Sequence, residues 1–406
     1  MPPDATQKPE PAKGFTFANG RPSFRFSNDT RVDFRLKVHG DYRSFNPDLR
    51  REDRYDLRRL RAGVEGEVKN VVQYEVEYDF REDDYPLRDA WVDIRTSRAL
   101  QIRGGKFKLP FSREMLTGAM NLDFAFRSRA ADQLAPGRSV GAMAHGRLLD
   151  RQVQYQAGFF REDGENTRRN PLRLDALSPL PEDAPIDPDE TSGPTWAARA
   201  TVRGSGDWEN LEVGAAMTSG EIREGRNSVR GRMVFGGGFF PAFEVNGRRQ
   251  RLGLEAEYET NRASIAAEWM RVSDERLGQG FDNEDLEPLV GRGWYIAGTW
   301  LAAGRRPGGD GDRPASRAGA IELAARYELL RFGGSADDEE ASRSPRAIVI
   351  QPNGNRAWTW GVNWYVNQLI RVQGNIIREA LDNAVRAPIP AQSVYWSTLV
   401  RLQFVL

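Results

Sequence analysis

Polar and apolar residues alternate along this chain from Thr30 almost to its end. Val32, Phe34, Leu36 and Val38 fall on one side of the first such segment, and Arg31, Asp33, Arg35 and Lys37 on the other. A period of two over that length marks a strand with two unlike faces. Asn70–Arg81 sets Val72, Tyr74, Val76, Tyr78 and Phe80 against Gln73, Glu75, Glu77 and Asp79. Gln152–Phe160, Arg356–Val366 and Ser393–Leu406 repeat the pattern, the last two with Trp358, Trp360, Trp364 and Trp396 on the apolar side. Sixteen segments carry it: 30–43, 57–68, 70–80, 88–96, 99–107, 138–148, 151–160, 195–204, 208–218, 248–259, 262–273, 291–303, 317–329, 356–366, 369–380 and 393–405. The connections between them run long and short by turns. The exception is 304–316, which should be short and is not. In 291–303 both faces look apolar.

An even number of strands joined by long loops on one side and tight turns on the other is the layout of a barrel that crosses a membrane. No run of about 18 apolar residues exists, so a helical span is excluded, whereas a barrel strand needs only about 9–11 residues, half of them polar. The apolar face must then meet lipid and the charged face water. Trp294, Tyr295, Trp300, Trp358, Trp364, Tyr395 and Trp396 suit the aromatic girdles at the two interfaces. Length alone would suggest roughly two or three domains in 406 residues, but barrels are the exception to that count. The expectation is an all-β transmembrane antiparallel barrel of about 16 strands spanning 23–406. A Pro-rich flexible periplasmic arm, 1–22, precedes it. Its opening MPPDATQKPEPAKG has no apolar signal core and reads as mature or trimmed.

One stretch breaks the alternation. After Leu109-Pro110, about two dozen residues carry Arg113, Arg127 and Arg129 among Met, Leu and Phe, and Ala135-Pro136-Gly137-Arg138 opens the next strand. A loop this long inside one domain has a function as a rule. The expectation is a constriction loop folded into the lumen. Met115, Leu116 and Phe124 or Phe126 should pack on the wall, and Arg113, Arg127 and Arg129 should face water.

Charge adds a second clue. The chain is formally neutral, yet only six of its 58 basic residues are lysine. Arginine's planar fork suits oxyanions. Cysteine is absent, which excludes disulfides and thiolate metal sites. His39 and His145 each sit on a predicted strand and form no recognisable catalytic set. GGGFF at 236–240 lacks the helix and lysine of a phosphate-cradling loop. The acidic runs 181–190 and 337–340 read as solvated loops. Neutral balance argues against nucleic acid. The reading is of a non-enzyme without cofactor or metal.

Several stretches together are similar to the phosphate-selective porins of the O/P type from Gram-negative outer membranes. They are LRRLRAGVEGE (57–67), YEVEYDF (74–80), LRDAWVDIR (87–95), GKFKLPFSRE (105–114), LAPGRSVG (134–141), GWYIAGTW (293–300), IELAARYELL (321–330), WGVNWYVN (360–367) and RLQF (401–404). The resemblance implies a homotrimer of sixteen-stranded barrels in lipid and lipopolysaccharide, an eyelet narrowed by the third long loop, and an arginine-lined path for small phosphate-like anions. Arg58, Arg59 and Arg61 match the family's strand-two arginines. Arg31 and Arg35 join them from strand one. Lys106, Lys108, Ser112, Arg113, Arg127, Arg129 and Arg138 come from the constriction loop and its flanks, and Arg226, Arg230 and Arg232 from the fifth loop. The chain departs from the family in its few lysines and in ending Val405-Leu406. The alternative is a structural or partner-binding barrel whose pore is incidental or plugged.

An internal echo completes the set. Arg58 to Glu67 and Arg248 to Glu257 both read R-R-x-R-x-G-x-E-x-E. By strand count they stand across the lumen from each other. Period two turns Arg59, Arg61, Arg249 and Arg251 inward, with arginine in the outer half, glutamate in the inner half, and a glycine gap between.

Overall fold

The computed structural model describes residues 13–18, 21–46, 55–81, 86–164, 192–234, 236–280, 282–305, 319–334, 350–384 and 392–406. The strands in chain order begin with β1 (Gly14–Ala18), β2 (Arg21–Ser27), β3 (Thr30–Asn46), β4 (Tyr55–Val68), β5 (Val72–Asp79), β6 (Leu87–Arg95) and β7 (Gln101–Lys108). Two short helices, α1 (Arg113–Leu116) and α2 (Arg129–Leu134), precede β8 (Arg138–Leu148), β9 (Val153–Phe160), β10 (Ser192–Arg203) and β11 (Leu211–Gly225). A small hairpin, β12 (Gly231–Met233) and β13 (Gly236–Phe240), leads to β14 (Val245–Glu259) and β15 (Ala263–Arg276). The chain ends with β16 (Leu286–Ala303), β17 (Ala320–Gly334), β18 (Asn353–Tyr365), β19 (Ile370–Leu381) and β20 (Val394–Val405).

β3–β11 and β14–β20 form a closed antiparallel barrel of sixteen strands, each paired with its neighbour, with β20 closing on β3 from Trp396↔Asn46 to Val405↔Lys37. Connections 47–54, 80–86, 109–137, 161–191, 226–244, 277–285, 335–352 and 382–393 leave from one rim. The short turns leave from the other. At the turn 69–71, Lys69 and Asn70 take φ of 53° and 56°, the left-handed pair a tight hairpin demands. Apart from Gly304 and Arg305, the odd connection 304–316 lies outside the described residues, as do the acidic runs 181–190 and 337–340.

The alternation works as expected on most of the wall. Trp300, Trp358, Trp364 and Trp396 are exposed on the outer face, while Asp41, Arg61, Asp93 and Arg401 are enclosed on the inner one. Tyr295 and Tyr395 correct the girdle expectation: they are 2% and 3% exposed and point inward, since each sits one residue from an outward tryptophan. Part of the segment expected as an arm, Gly14–Ala18 and the start of Arg21–Ser27, is strand. β1 and β2 form a hairpin, and β2 pairs with β3 from Ser23↔Asp33 to Ser27↔Thr30, below the point where β20 ends. Five-residue and seven-residue strands rich in Ser, Arg and Phe give too short an alternation to stand out.

Candidate functional site

A loop inside a barrel must have its backbone groups satisfied by the protein. The 109–137 loop meets this with the inner wall. Wall acceptors take its N–H groups: Glu255 takes Arg113 N at 3.0 Å, Glu268 takes Glu114 N at 2.7 Å, Asn375 takes Ala125 N at 2.8 Å, and Glu328 takes Arg129 N. Wall donors take its carbonyls. Arg371 donates to Met120 at 3.2 Å and Leu122 at 2.6 Å, Asn363 to Asp123 at 2.9 Å, Arg401 to Ala125 at 2.5 Å and Arg326 to Phe126 at 3.1 Å. The loop therefore crosses the lumen from β7 to β20.

Apolar packing fixes it further. Met115 and Phe124 are 5% and 3% exposed, as expected of wall anchors. Helix α2 lies on β16. A methyl on Gly293 would stand 2.8 Å from Ala130 Cβ, and one on Gly291 3.0 Å from Leu134 Cδ2. This explains why both faces of 291–303 look apolar: one meets lipid, the other the loop. The fifth loop also turns inward. Val229, Met233, Phe239, Phe240 and Phe243 share one dry core with Phe111, Met115, Ala130 and Leu134. Glu379 accepts from Val234 N at 3.0 Å and Asp274 from Val229 N at 3.0 Å.

The residues proposed from sequence separate by environment. Arg31 is half-exposed beside Asp33 at 3.2 Å. Arg35 reaches Glu65 and, at 3.1 Å, Glu75. Lys106 stands opposite Ala90 and Val140, and Val140 is an exposed outer-face position, so the register puts Lys106 on the lipid side. Lys108 spends its ammonium on the carbonyls of Met115, Leu116 and Thr117 at 2.6, 3.1 and 3.2 Å, closing the end of α1. Ser112 caps the start of α1, its Oγ accepting from Met115 N at 3.1 Å. Arg113 grips Glu257 with Nε at 2.7 Å and a second contact from Nη2. Arg129 does not face water: its side chain is 2% exposed and donates to the carbonyls of Met233 and Arg127. Arg138 forms a two-pronged pair with Asp89 at 2.7 and 3.1 Å. In the fifth loop Arg226 lies 3.6 Å from Glu244, Arg230 is half-buried and Arg232 is enclosed.

The two echo segments face inward but differ in surroundings. Arg249 pairs with Asp274 and Asp163, and Arg251 with Asp163, both nearly devoid of exposure. Burial pushes the Asp163 carboxyl up, but Arg251 and Arg249 outweigh it and hold it down at about 2. At Gly253 the expected gap exists: a methyl there would stand 3.0 Å from Phe111 Cζ. At Gly63 the nearest atoms belong to the backbone of β5, not to the loop.

On β4 the balance is different. A bulge between His39↔Arg59 and Gly40↔Leu57 leaves Arg58 as an extra residue, and a bulge puts two successive side chains on one face. Arg58 and Arg59 thus both turn inward, and the charges that act most strongly on Arg58 are Arg401, Arg43, Asp41 and Asp56. Arg59 Nη1 donates to His39 Nδ1 at 3.0 Å, and His39 Nε2 meets Met120 Sδ of the loop at 2.9 Å. Arginine can only donate, so Nδ1 accepts and the imidazole is neutral. The strongest charge neighbours of Arg59 are Arg58, Arg61, Arg401 and Arg127. Arg61 is answered by Asp79 at 2.7 Å and Arg401 by Asp41 at 2.7 Å. Arg127 donates to the carbonyls of Glu114 at 3.0 Å and Thr117 at 2.7 Å. Burial pushes Arg127 down to about 10, with Glu114 and Asp132 pulling the other way, so it stays charged at neutral pH. Among the described residues no carboxylate forms an ion pair with Arg58, Arg59 or Arg127.

A sixteen-stranded barrel whose third loop is stitched across an arginine-rich lumen is the architecture of a porin, and the sequence agrees with it. The family model for phosphate-selective porins O and P matches residues 32–406. The chain belongs to that family. It is an outer-membrane porin of the Gram-negative type. No curated protein matches it in sequence. Among solved structures, the trimer form of OmpT, an outer membrane protein of Vibrio cholerae, is 13% identical with a TM-score of 0.59, covering 93% of this chain and 100% of that one. The outer membrane channel DcaP of Acinetobacter baumannii is 10% identical with a TM-score of 0.57, covering 93% and 98%. Salmonella typhi OmpF is 10% identical with a TM-score of 0.54, covering 93% and 98%. At such identities the likeness is one of fold.

Sequence reasoning passed over several residues that hold this porin's constriction, among them Arg326, Arg371, Arg401, Asp163 and His39. Arg401 could have been found, since Val400, Leu402 and Phe404 alternate outward and leave Arg401 inward. Asp163 carries no periodic signal, because it lies in a loop.

Proposed function

We propose that this porin passes small anions of the phosphate type by passive diffusion, as a channel and not an enzyme. One observation carries the reading: among the described residues Arg58, Arg59 and Arg127 at the constriction form no ion pair with a carboxylate, and Arg59 and Arg127 are held by neutral acceptors. A cation paired with an acid loses most of its field, whereas one held by carbonyls or imidazole keeps it. In a narrow aqueous path such a cluster concentrates anions. The inner half is more nearly balanced, through Lys37 with Glu77, Arg95 with Glu67 at 2.8 Å and Arg103 with Asp93 at 2.8 Å, so the hold weakens toward the periplasm. A homotrimer embedded among lipopolysaccharide belongs to the same reading. Reversal potential in a chloride gradient across planar bilayers tests it, followed by block with phosphate and pyrophosphate. Anion preference and block at low phosphate are expected; a cation-selective channel would end the reading. The dry core shared by the third and fifth loops favours a second reading, a plugged barrel with a partner-binding or structural role. Absence of conductance in the same experiment would select it.

A further inference from the structure

The outer wall carries a charged row that the pore does not use. Register places Arg271 of β15 directly opposite Arg292 of β16, and Arg292 directly opposite Arg331 of β17. All three lie on the outer face. They share it with Trp269, Trp294 and Ile296, and the Arg331 side chain is 59% exposed. Like charges set directly opposite each other on adjacent strands repel, and arginine on a lipid-facing wall is costly unless it lies at the interface. Such a row needs negative charge, and the wall supplies little. Among the described residues Asp382 answers Arg331 at 3.2 Å and also Arg356 at 3.0 Å. Glu275 is engaged by the backbone of Arg248 at 2.9 Å. Arg271 Nε has no hydrogen-bond partner, and no ion pair to Arg271 or Arg292 occurs among the described residues.

Height indicates which anion the row would meet. Trp300, exposed on the same face of β16, lies eight residues from Arg292 toward the turn rim. That is roughly 26 Å along a strand, and the strand's tilt brings it near the height of an apolar band about 25 Å tall. The row thus stands at the loop-side edge of the band. Directly beneath it runs an aromatic belt: Trp269 opposite Trp294, Trp294 5.5 Å from Tyr327, and Tyr327 4.7 Å from Trp358. Three forks about 5 Å apart make a ledge about 10 Å wide. It faces the membrane, with acyl-binding rings under it.

We propose that Arg271, Arg292 and Arg331 form a binding ledge for the phosphorylated glycolipid of the outer leaflet, lipopolysaccharide, with phosphates on the guanidinium forks and acyl chains on the aromatic belt. The inference rests on the outer-membrane placement and is independent of which ions the pore passes. Arginine suits the role because its two parallel N–H groups match phosphate oxygens. Phosphates are the anions that the outer leaflet presents at this depth.

The test is titration of the folded porin in neutral detergent micelles with diphosphorylated lipid A, read by tryptophan fluorescence and thermal stabilisation. Phosphatidylglycerol serves as the comparison lipid. The wild type is expected to bind lipid A more tightly than phosphatidylglycerol. R271Q, R292Q and R331Q are each expected to lose roughly fivefold, and the triple variant roughly a hundredfold. Single-channel conductance of the triple variant should equal that of wild type, which shows that it has folded. Lipid A binding by the triple variant at wild-type strength would overturn the proposal. So would equal binding of phosphatidylglycerol, or no binding of lipid A to the wild type.

Discussion

Asp163 offers the sharpest test of how the inner wall is held. It leaves β9 and turns into the lumen, where its backbone N–H donates to Ser192 Oγ at 3.2 Å and its side chain is 3% exposed. Both oxygens meet Arg251, and one also meets Arg249 at 2.8 Å. Replacing it by asparagine leaves Arg249 with Asp274, at 2.6 and 2.7 Å. Arg251 keeps only Leu134 O at 2.6 Å and Thr218 Oγ1 at 3.4 Å. A buried guanidinium stripped of its carboxylate costs about 3–5 kcal/mol. The proton linkage points the same way. A carboxyl lowered from 3.8 to about 2 contributes on the order of 2 kcal/mol. Because the folded pKa is depressed, this stabilisation is complete above the unfolded value of 3.8, and it is lost as pH falls through about 2. Denaturant unfolding of D163N in micelles, followed by tryptophan fluorescence, should show the full deficit at pH 7 and little near pH 2. If the loop opens without the barrel, hydrogen exchange at 130–138 should rise instead. A variant within about 0.5 kcal/mol of wild type at pH 7 with unchanged exchange would refute the reasoning, since surface substitutions alone give that much.

Three further outcomes are expected. His39→Leu removes the neutral acceptor of Arg59, which should then swing toward a wall carboxylate; anion preference in reversal potential should fall, while His39→Asn, which keeps an acceptor near the Nδ1 position, should retain most of it. Charge reversal should separate the two echo segments: R59E should shift the reversal potential toward cations, whereas R249E, placed between Asp163 and Asp274, should show first as lost stability of about 3 kcal/mol or more in the same unfolding assay. Gly293→Val drives a side chain into Ala130 and should lift α2 from β16, at a cost of about 1–3 kcal/mol, with raised single-channel conductance as the readout.

The alternation of side chains was enough to fix the strands, the two faces of the wall and the rim from which each loop leaves, because lipid and water impose opposite demands on successive residues. Both faces of 291–303 look apolar in sequence, which fits the pattern poorly, and the docking of α2 shows why. The inward loop was legible from its length and from its break in period. Its fastening was not: Arg326, Arg371 and Arg401 lie far from it in sequence, and closure of the barrel alone brings them to its carbonyls. The same holds for charge. Arg59 and Arg249 sit in matching motifs, so the sequence treats them alike. Tertiary structure separates them, because a loop carboxylate reaches Arg249, whereas among the described residues a histidine is what Arg59 bonds. Bulges add the last difference, for one extra residue at Arg58 turns an outward position inward, and strict period two cannot register it.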